Sequence, residues 1–204
     1  MAYFPLFIDL TDKTVLIVGG GAVAARKAET MLGYGPRLLV CAPHFVPELR
    51  RLSGVELLER AFAPELLEGV SLVLAATDDR ALNRTVSQLC RERSIPVNVA
   101  DDKELCTFLF PSILRRGPLS VGVSTGGASP TAAAYVRRTL EAQLPDCLEP
   151  ILTWLEGQRT ALVQSLPQAG RGELLSRLFY AALEAGRPLS QEETKALLGQ
   201  VQEG

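Results

Sequence analysis

The sequence predicts an α/β fold, because short apolar runs typical of buried strands alternate with helical patterns. The spacing is helical over Ala22–Leu32, and the pattern over Ala81–Arg93 is amphipathic. Such an alternation indicates a parallel sheet that carries helices on both faces. The apolar runs that we interpret as strands are Thr14–Val18, Arg37–Cys41, Val55–Glu59, Leu72–Ala76, Pro96–Val99 and Thr107–Phe110.

The pattern changes after residue 112. A further strand is predicted at Leu119–Val123, and a long helix follows over Pro130–Gln143, with Ser129 as a favourable N-cap. The remaining patterns are helical, and Ser190 with Glu193 forms a capping box for the last of them. The two helices before it are predicted at Leu148–Leu166 and Glu173–Ala185. We therefore predict a sheet domain over residues 1–112, a small α+β segment over 113–147 and a helical C-terminal region over 148–204.

Composition narrows the classes of function. With 21 Lys and Arg against 23 Asp and Glu, the chain of 204 residues carries a net charge near −2, which excludes binding of nucleic acid by bulk charge. A single histidine and four scattered cysteines argue against zinc ribbons, histidine-rich metal sites and disulfide frameworks. Neither a signal peptide nor an apolar run long enough to span a bilayer is present. We predict a cytoplasmic protein with no membrane or nucleic-acid partner and no bound metal.

A glycine-rich loop follows the first predicted strand. Residues Gly19–Ala24 fit the pattern G-x-G-x-x-A, between a strand and a helix. In a Rossmann-type sheet, Gly19 would permit the tight turn and Gly21 would let a pyrophosphate approach the backbone. Ala24 would let the helix pack closely on its strand. The alternative is a glycine-rich turn that serves packing alone.

The second predicted strand lacks the acidic residue that an NAD site usually carries about 20 residues after the loop. Cys41, Ala42, Pro43 and His44 stand there instead. No arginine in that turn favours a 2′-phosphate, so NAD is preferred over NADP. The His44 side chain either contacts the adenosine end or lies in a surface loop.

Carboxylates follow two of the predicted strands at the edge of the sheet where ligands bind. Asp101 and Asp102 closely follow the strand that contains Asn98, and one of them could act as a general base beside a hydride acceptor. The alternative is a solvated loop. The residues Thr77, Asp78 and Asp79 offer either a cofactor contact or a helix cap. We assign Thr77, Asp78 and Asn98 to the cofactor.

A second glycine loop, Ser124–Pro130, precedes the long helix and offers backbone N–H donors to an anion. Arginines flank it on both sides, and guanidinium groups could bind carboxylates there. A tight turn with surface arginines is the alternative. The candidate substrate residues are Ser124, Thr125, Gly126, Gly127, Arg115, Arg116, Arg137 and Arg138.

Four motifs in order carry a family resemblance: VLIVGGGAVAARKAETML, AATDD followed by Asn83, VNVADD, and FPSILRRGPLSVGVSTGGASPTAAAYVRR. Over roughly residues 1–145 the chain resembles the precorrin-2 dehydrogenase family, the N-terminal module of siroheme synthases. The resemblance implies oxidation of precorrin-2 to sirohydrochlorin by hydride transfer to NAD, with Asp101 as the general base. It also implies a homodimer formed through the segment around residues 113–145.

Residue by residue, the family's essential aspartate falls on Asp101 rather than Asp102, and its serine-rich loop falls on Ser124 and Thr125. Some members also insert ferrous iron into the product, which the sequence neither demands nor excludes. The alternative function is a non-catalytic module that senses NAD(H). The family's cofactor contacts fall on Gly19, Gly20, Gly21, Ala22, Val23, Pro43 and His44.

Overall fold

The computed structural model describes residues 3–165 and 170–202. Its contacts divide the chain into two compact units. The first extends to Phe110 and includes residues 126–128, and the second contains residues 111–125 and those from Ser129 onward. The predicted division at residues 112 and 147 stays a prediction.

The first unit is built on a five-stranded parallel sheet with the strand order β3-β2-β1-β4-β5. The predicted α/β class is therefore confirmed. The strands are β1 (Thr14–Val18), β2 (Arg37–Ala42), β3 (Val55–Glu59), β4 (Val70–Ala75) and β5 (Val97–Val99). The helices are α1 (Ala22–Leu32), α2 (Pro47–Arg51) and α3 (Arg80–Glu92).

Side chains of β1 alternate between two buried layers, one on each face of the sheet. Val15 and Ile17 pack in the layer that contains the alanines of α1. Leu16 and Val18 pack in the layer that contains Val86 of α3. Because both faces are covered, the central strand β1 is apolar and buried from Val15 to Val18. The edge strand β3 is less buried and carries the exposed Glu56 and Glu59.

The predicted strand Thr107–Phe110 is wrong. Beside it, the Val97 N–H donates to the Thr107 hydroxyl at 2.8 Å, and the Thr107 N–H donates to the Val97 carbonyl at 2.8 Å. The Asn98 amide then donates to the Phe108 carbonyl at 3.2 Å. Only one of these three bonds joins backbone to backbone, so no regular ladder forms and the apolar run follows β5 without joining the sheet as a strand.

The second unit begins with an antiparallel hairpin of β6 (Ser112–Arg116) and β7 (Leu119–Val123). The sequence interpretation missed β6, although the pair Gly117-Pro118 between two extended runs is a hairpin signal. Helix α4 (Pro130–Gln143) contacts both strands of the hairpin.

The rest of the second unit is helical, with its own buried cluster around Ile151, Leu174 and Leu178. The capping box is confirmed, since Ser190 N–H donates to the Glu193 carboxylate at 2.7 Å and Glu193 N–H donates to the Ser190 hydroxyl at 3.2 Å. The predicted helix end at Leu166 lies outside the described residues. The helices are α5 (Leu148–Ser165), α6 (Arg171–Ala185) and α7 (Gln191–Gln202).

Candidate functional site

The glycine loop is held between the loops that follow β2 and β4. Gly19 N–H donates to the Cys41 carbonyl at 2.9 Å, and Val46 N–H donates to the Gly20 carbonyl at 2.9 Å. A Cβ at Gly19, whose φ is +133°, would lie 2.3 Å from the Ala76 carbonyl oxygen, and one at Gly20 would lie 1.8 Å from that of His44. The first two glycines are therefore required by close backbone packing.

Gly21 differs from its two neighbours. It is the N-cap residue of α1, with an ordinary φ of −88° and no side-chain cap. No atom lies within 4 Å of the position that its Cβ would take. The first-turn N–H groups of a helix have no partner within the helix and attract anions. This open, uncapped N-terminus fits the pyrophosphate of a dinucleotide.

A cleft of about 610 Å³ lies in the first unit at the carboxyl ends of the strands. It lies where the strand order reverses between β1 and β4, the position at which parallel sheets bind ligands. Among the predicted cofactor residues, those that line it are Gly19, Gly20, Gly21, Pro43, His44, Thr77 and Asp78. Ala22 and Val23 form the first turn of α1 and do not line it.

The end of β2 carries no carboxylate toward this cleft. The Cys41 thiol donates to the Arg60 carbonyl at 3.1 Å, and burial raises the pKa of this thiol. His44 is exposed, and its backbone lies close to Gly20. Phe45 and Phe62 also line the cleft. The sequence interpretation missed both, although their positions after β2 and β3 could have indicated them.

The loop between β4 and α3 is fixed by Asn83, which is only 5% exposed. Its amide oxygen accepts from the Thr77 hydroxyl at 2.8 Å, and its amide nitrogen donates to the Thr77 carbonyl at 2.9 Å. The Asp79 carboxylate accepts from the N–H groups of Ala81 and Leu82 at 2.8 and 3.0 Å. Of the two interpretations of Asp79, the structure shows the helix cap.

Asn98 is buried and does not line the cleft, although the sequence interpretation assigned it to the cofactor. Its amide oxygen accepts from the Lys27 ammonium at 2.9 Å. The same ammonium lies 4.1 Å from the centre of the Phe110 ring. Burial lowers the pKa of Lys27 from its ordinary value of 10.5 to about 8. These contacts place Asn98 in the support of Lys27, a residue that the sequence interpretation missed.

Asp101 lies in the turn that follows β5, exposed and with a φ of +58°. Left-handed backbone at a residue other than glycine is uncommon, and aspartate adopts it more readily than most residues do. Cys106 fixes this turn, because its sulfur accepts from Val99 N–H at 3.1 Å and donates to the Asp102 carbonyl at 3.3 Å. A carboxylate is thereby presented to solvent at the ligand-binding edge of the sheet.

Two of the predicted substrate arginines are engaged within the second unit. Arg116 donates to the carbonyls of Glu141 and Leu144 at 3.3 Å each, at the C-terminal end of α4. Arg137 forms an ion pair with Glu141 at 2.5 Å. Arg115 and Arg138 are exposed. Arg116 and Arg137 are thus engaged in contacts with α4 and the residue that ends it.

The second glycine loop is ordered by its hydroxyl groups. The Thr125 hydroxyl accepts from Ser129 N–H at 3.0 Å and donates to the Ser129 carbonyl at 3.1 Å. The Ser129 hydroxyl accepts from Ala132 N–H at 3.1 Å, which confirms the predicted N-cap of α4. Gly126 and Gly127 have φ values of +64° and +84°, so these two positions require glycine for their backbone conformation.

Across residues 3–165 and 170–202, no group of three or more His, Cys, Asp or Glu side chains is placed to hold a metal ion. Within the same residues, no helix has both the length and the apolar character needed to cross a membrane.

Comparison with protein families assigns most of the first unit to a known family. The family described as "Putative NAD(P)-binding" matches residues 6–112, which is more than half of the chain. The chain belongs to this NAD(P)-binding family. A second family, described as "Sirohaem biosynthesis protein central", matches residues 116–143.

Individual relatives extend the similarity over nearly the whole chain. The siroheme synthase of Sodalis glossinidius (strain morsitans) is 40% identical over 200 residues, which are 95% of this chain and 42% of that protein. The siroheme synthase of Thioalkalivibrio sulfidiphilus (strain HL-EbGR7) is 41% identical over 187 residues, 90% of this chain and 38% of that protein. The chain thus spans about two fifths of the length of these relatives.

A solved structure, "SirC, precorrin-2 dehydrogenase", has the same fold, with a TM-score of 0.74 at 23% identity. The similarity covers 99% of this chain and 100% of that one.

The two neighbouring glycines give a matched pair of tests. We expect Gly20→Ala to lower the melting temperature and abolish dinucleotide binding, because its new methyl group would meet the His44 carbonyl. Gly21→Ala adds the same methyl group to open space, so the melting temperature should hold while the Kd for NAD rises about tenfold or more. Thermal unfolding and calorimetric titration with NAD measure both effects. Wild-type affinity in Gly21→Ala would contradict an anion site at this helix end.

Lys27 makes stability depend on pH with a definite sign. Between pH 8 and 10.5 the unfolded chain keeps the Lys27 proton that the folded chain loses, so this group raises the free energy of unfolding as pH rises. The full effect is about 3 kcal/mol. We expect the free energy of unfolding of Lys27→Met to exceed that of wild type by the largest amount near pH 7. The difference should shrink toward pH 10. Urea unfolding measures it, with the exposed Lys13→Met as the control. A difference that does not vary with pH would contradict the depressed pKa.

Proposed function

We propose that this chain is a precorrin-2 dehydrogenase, which oxidises precorrin-2 to sirohydrochlorin with NAD as the hydride acceptor. The observation that carries the proposal is the pairing, in one chain, of an NAD(P)-binding domain at residues 6–112 with a sirohaem-biosynthesis segment at 116–143. The solved structure of the same fold is named as this dehydrogenase. No observation favours the alternative of a non-catalytic NAD(H) sensor.

The cofactor is assigned to the cleft of the first unit. Its pyrophosphate would lie at the N-terminus of α1, beside Gly21, where no Cβ intrudes and no side chain caps the helix. The turn Cys41–His44 contains no arginine for a 2′-phosphate, which supports NAD over NADP. The apolar ring of Phe62 and the half-buried Thr77 would line its flanks.

In the proposed reaction, precorrin-2 loses one hydrogen as a hydride and one as a proton. The products are sirohydrochlorin, NADH and a proton. NAD, when bound, supplies C4 of its nicotinamide as the hydride acceptor. The Asp101 carboxylate takes the proton as a general base. Its exposed position in the turn after β5 lets it reach a substrate and then return the proton to solvent.

The substrate is a polycarboxylate, so its binding calls for arginine and backbone N–H donors. The second glycine loop, with Ser124, Thr125, Gly126 and Gly127, supplies N–H donors in this proposal. Among the candidate arginines, Arg138 is exposed and makes no ion pair within the described residues. Arg116 donates to the backbone of α4, and Arg137 forms an ion pair within that helix. Arg115 is the other exposed arginine among the four candidates. Iron insertion stays a prediction of the resemblance.

Asp101 and its neighbour Asp102 provide the test of the catalytic assignment. We expect Asp101→Asn to lower the rate of NADH formation from NAD and precorrin-2 by about a hundredfold or more, since the proton acceptor is lost. Asp102→Asn should keep the wild-type rate. Absorbance of NADH and of sirohydrochlorin measures both. No activity in wild type would refute the dehydrogenase, whereas equal rates in wild type and Asp101→Asn would refute only the role of Asp101.

The proposal also includes a homodimer formed through residues 113–145. Its support is a set of large apolar side chains exposed on α4: Tyr135 at 64%, Val136 at 41% and Leu140 at 41%. An exposed apolar cluster on one helix is typical of a protein interface.

A charge placed in this cluster should weaken the dimer. We expect Tyr135→Glu to raise the dimer Kd by about tenfold or more, because a carboxylate would be buried at the interface. Tyr180→Glu on α6 is the matched control, since Tyr180 is 67% exposed and lies outside the proposed interface. Sedimentation velocity over a range of concentrations distinguishes the two variants. A monomeric wild type, or equal weakening by both changes, would refute this interface.

A further inference from the structure

Residues 126–128 of the second glycine loop belong to the first unit, and there the Lys103 side chain packs across Gly127. A Cβ added at Gly127 would lie 3.2 Å from the Lys103 Cδ and 4.0 Å from the Lys103 Cβ. Gly127 has a φ of +84°, a conformation that favours glycine. The hydrocarbon stem of Lys103 therefore lies against this loop, while the residue as a whole remains exposed.

The backbone that carries Lys103 is also held. Lys103 follows Asp101 by two residues and begins a short 3-10 turn that ends at Leu105. The Ser87 hydroxyl of α3 donates to the Leu105 carbonyl at 2.6 Å. The Cys106 N–H donates to the Lys103 carbonyl at 3.1 Å. Because both the backbone and the stem are held, the Lys103 ammonium has a limited range of positions beside the turn that carries Asp101.

The rest of this turn is acidic. The sequence from Asp101 to Glu104 contains three carboxylates and one ammonium, that of Lys103. The Arg91 guanidinium reaches the same turn, but it donates to the Glu104 carbonyl at 2.9 Å and so binds backbone. The ion pairs formed within residues 3–165 and 170–202 do not include Lys103. A ligand rich in carboxylates would be repelled by this turn unless a cation met it there.

We propose that the Lys103 ammonium binds a carboxylate of the substrate, at the place where its stem packs against the second glycine loop. The proposal rests on the proposed function, in which the substrate is a polycarboxylate and Asp101 accepts its proton. An ammonium binds a carboxylate as a compact point charge. Lys103 thereby offsets the repulsion between the substrate and the acidic turn and holds one carboxylate near the general base. Its role is substrate affinity, and it takes no part in the proton transfer.

Binding of the product separates this contact from catalysis. Equilibrium dialysis with sirohydrochlorin, in the absence of NAD, measures the Kd. We expect Lys103→Met to raise this Kd about tenfold at low salt, because methionine keeps an apolar stem and removes the charge. Lys103→Arg keeps the charge and should stay near the wild-type value. Lys13→Met is the matched control, since Lys13 is exposed and directly precedes β1, at the opposite end of the strands.

Salt distinguishes a charge contact from a packing role. Added salt screens the attraction between an exposed ammonium and a carboxylate. We therefore expect the difference in Kd between wild type and Lys103→Met to shrink as the salt concentration rises. Equal Kd values for wild type and Lys103→Met at low salt would overturn the proposal, and so would a difference that salt leaves unchanged.

Gly127→Ala tests the geometry of the contact. The new methyl group would crowd the Lys103 Cδ and move the ammonium. We expect this change to raise the Kd for sirohydrochlorin in the wild-type background and to add much less in Lys103→Met, where no charge is left to move. A double-mutant cycle measures the coupling between the two positions. Fully additive effects would overturn the joint site of Lys103 and the glycine loop.

Kinetics with precorrin-2 separate the role of Lys103 from that of Asp101. We expect Lys103→Met to lower kcat/KM about tenfold through a higher KM for precorrin-2, because a contact made equally in the ground state and the transition state affects KM. The KM for NAD should hold. Asp101→Asn, by contrast, should lower kcat. A loss in Lys103→Met that lies in kcat alone would overturn the affinity role.

Failure of this contact and failure of the proposed function give different results. If wild type oxidises precorrin-2 and Lys103→Met matches it in both Kd and KM, the role of Lys103 alone is overturned. If wild type binds sirohydrochlorin but oxidises no precorrin-2, the dehydrogenase fails and dialysis still decides the contact. If wild type does neither, both fail. Thermal unfolding checks that each variant is folded, and Lys103→Gln replaces Lys103→Met if the latter is not.

Discussion

The close packing of the glycine loop against the loops after β2 and β4 is the constraint on which the rest of the first unit depends. Gly20 approaches the His44 backbone so closely that even a methyl group would displace it, and Gly19 approaches the Ala76 carbonyl in the same way. These contacts fix where α1 begins. They therefore fix both the open end beside Gly21 and, two turns later, the place of Lys27.

Polar groups inside this unit are few, and each serves a neighbouring loop. The Asn83 amide holds the turn after β4 by a hydrogen bond to the Thr77 carbonyl. The Cys106 sulfur holds the turn after β5 by accepting from Val99 N–H. Buried polar groups contribute favourably only when they are hydrogen-bonded, so each of these side chains specifies one loop conformation. The loops after β4 and β5 are thus each held in one conformation at the ligand-binding edge of the sheet.

Much of the fold and part of the site could be predicted from local pattern. Local sequence alone predicts the strand β1, the helix α1 and the cap by Asp79, and the structure confirms all three. A strand was wrongly predicted at residues 107–110, because a tertiary contact of the Thr107 hydroxyl decides how this run pairs. The contact of Asn98 with Lys27 could not be predicted from the sequence either, since only the fold brings the two residues together. A lysine on the apolar face of α1 was the one signal that the sequence did offer.

The uncapped N-terminus of α1 has a consequence for the stability of the first unit. Most helices complete their first turn with a side chain that accepts from the free N–H groups, and Gly21 has none to offer. A bound phosphate would accept hydrogen bonds from these N–H groups in place of a side-chain cap. The cofactor would then stabilise the fold as well as take part in the reaction. By mass action, the stability of the domain would then follow the concentration of dinucleotide around it. A cell rich in the cofactor would keep more of this chain folded.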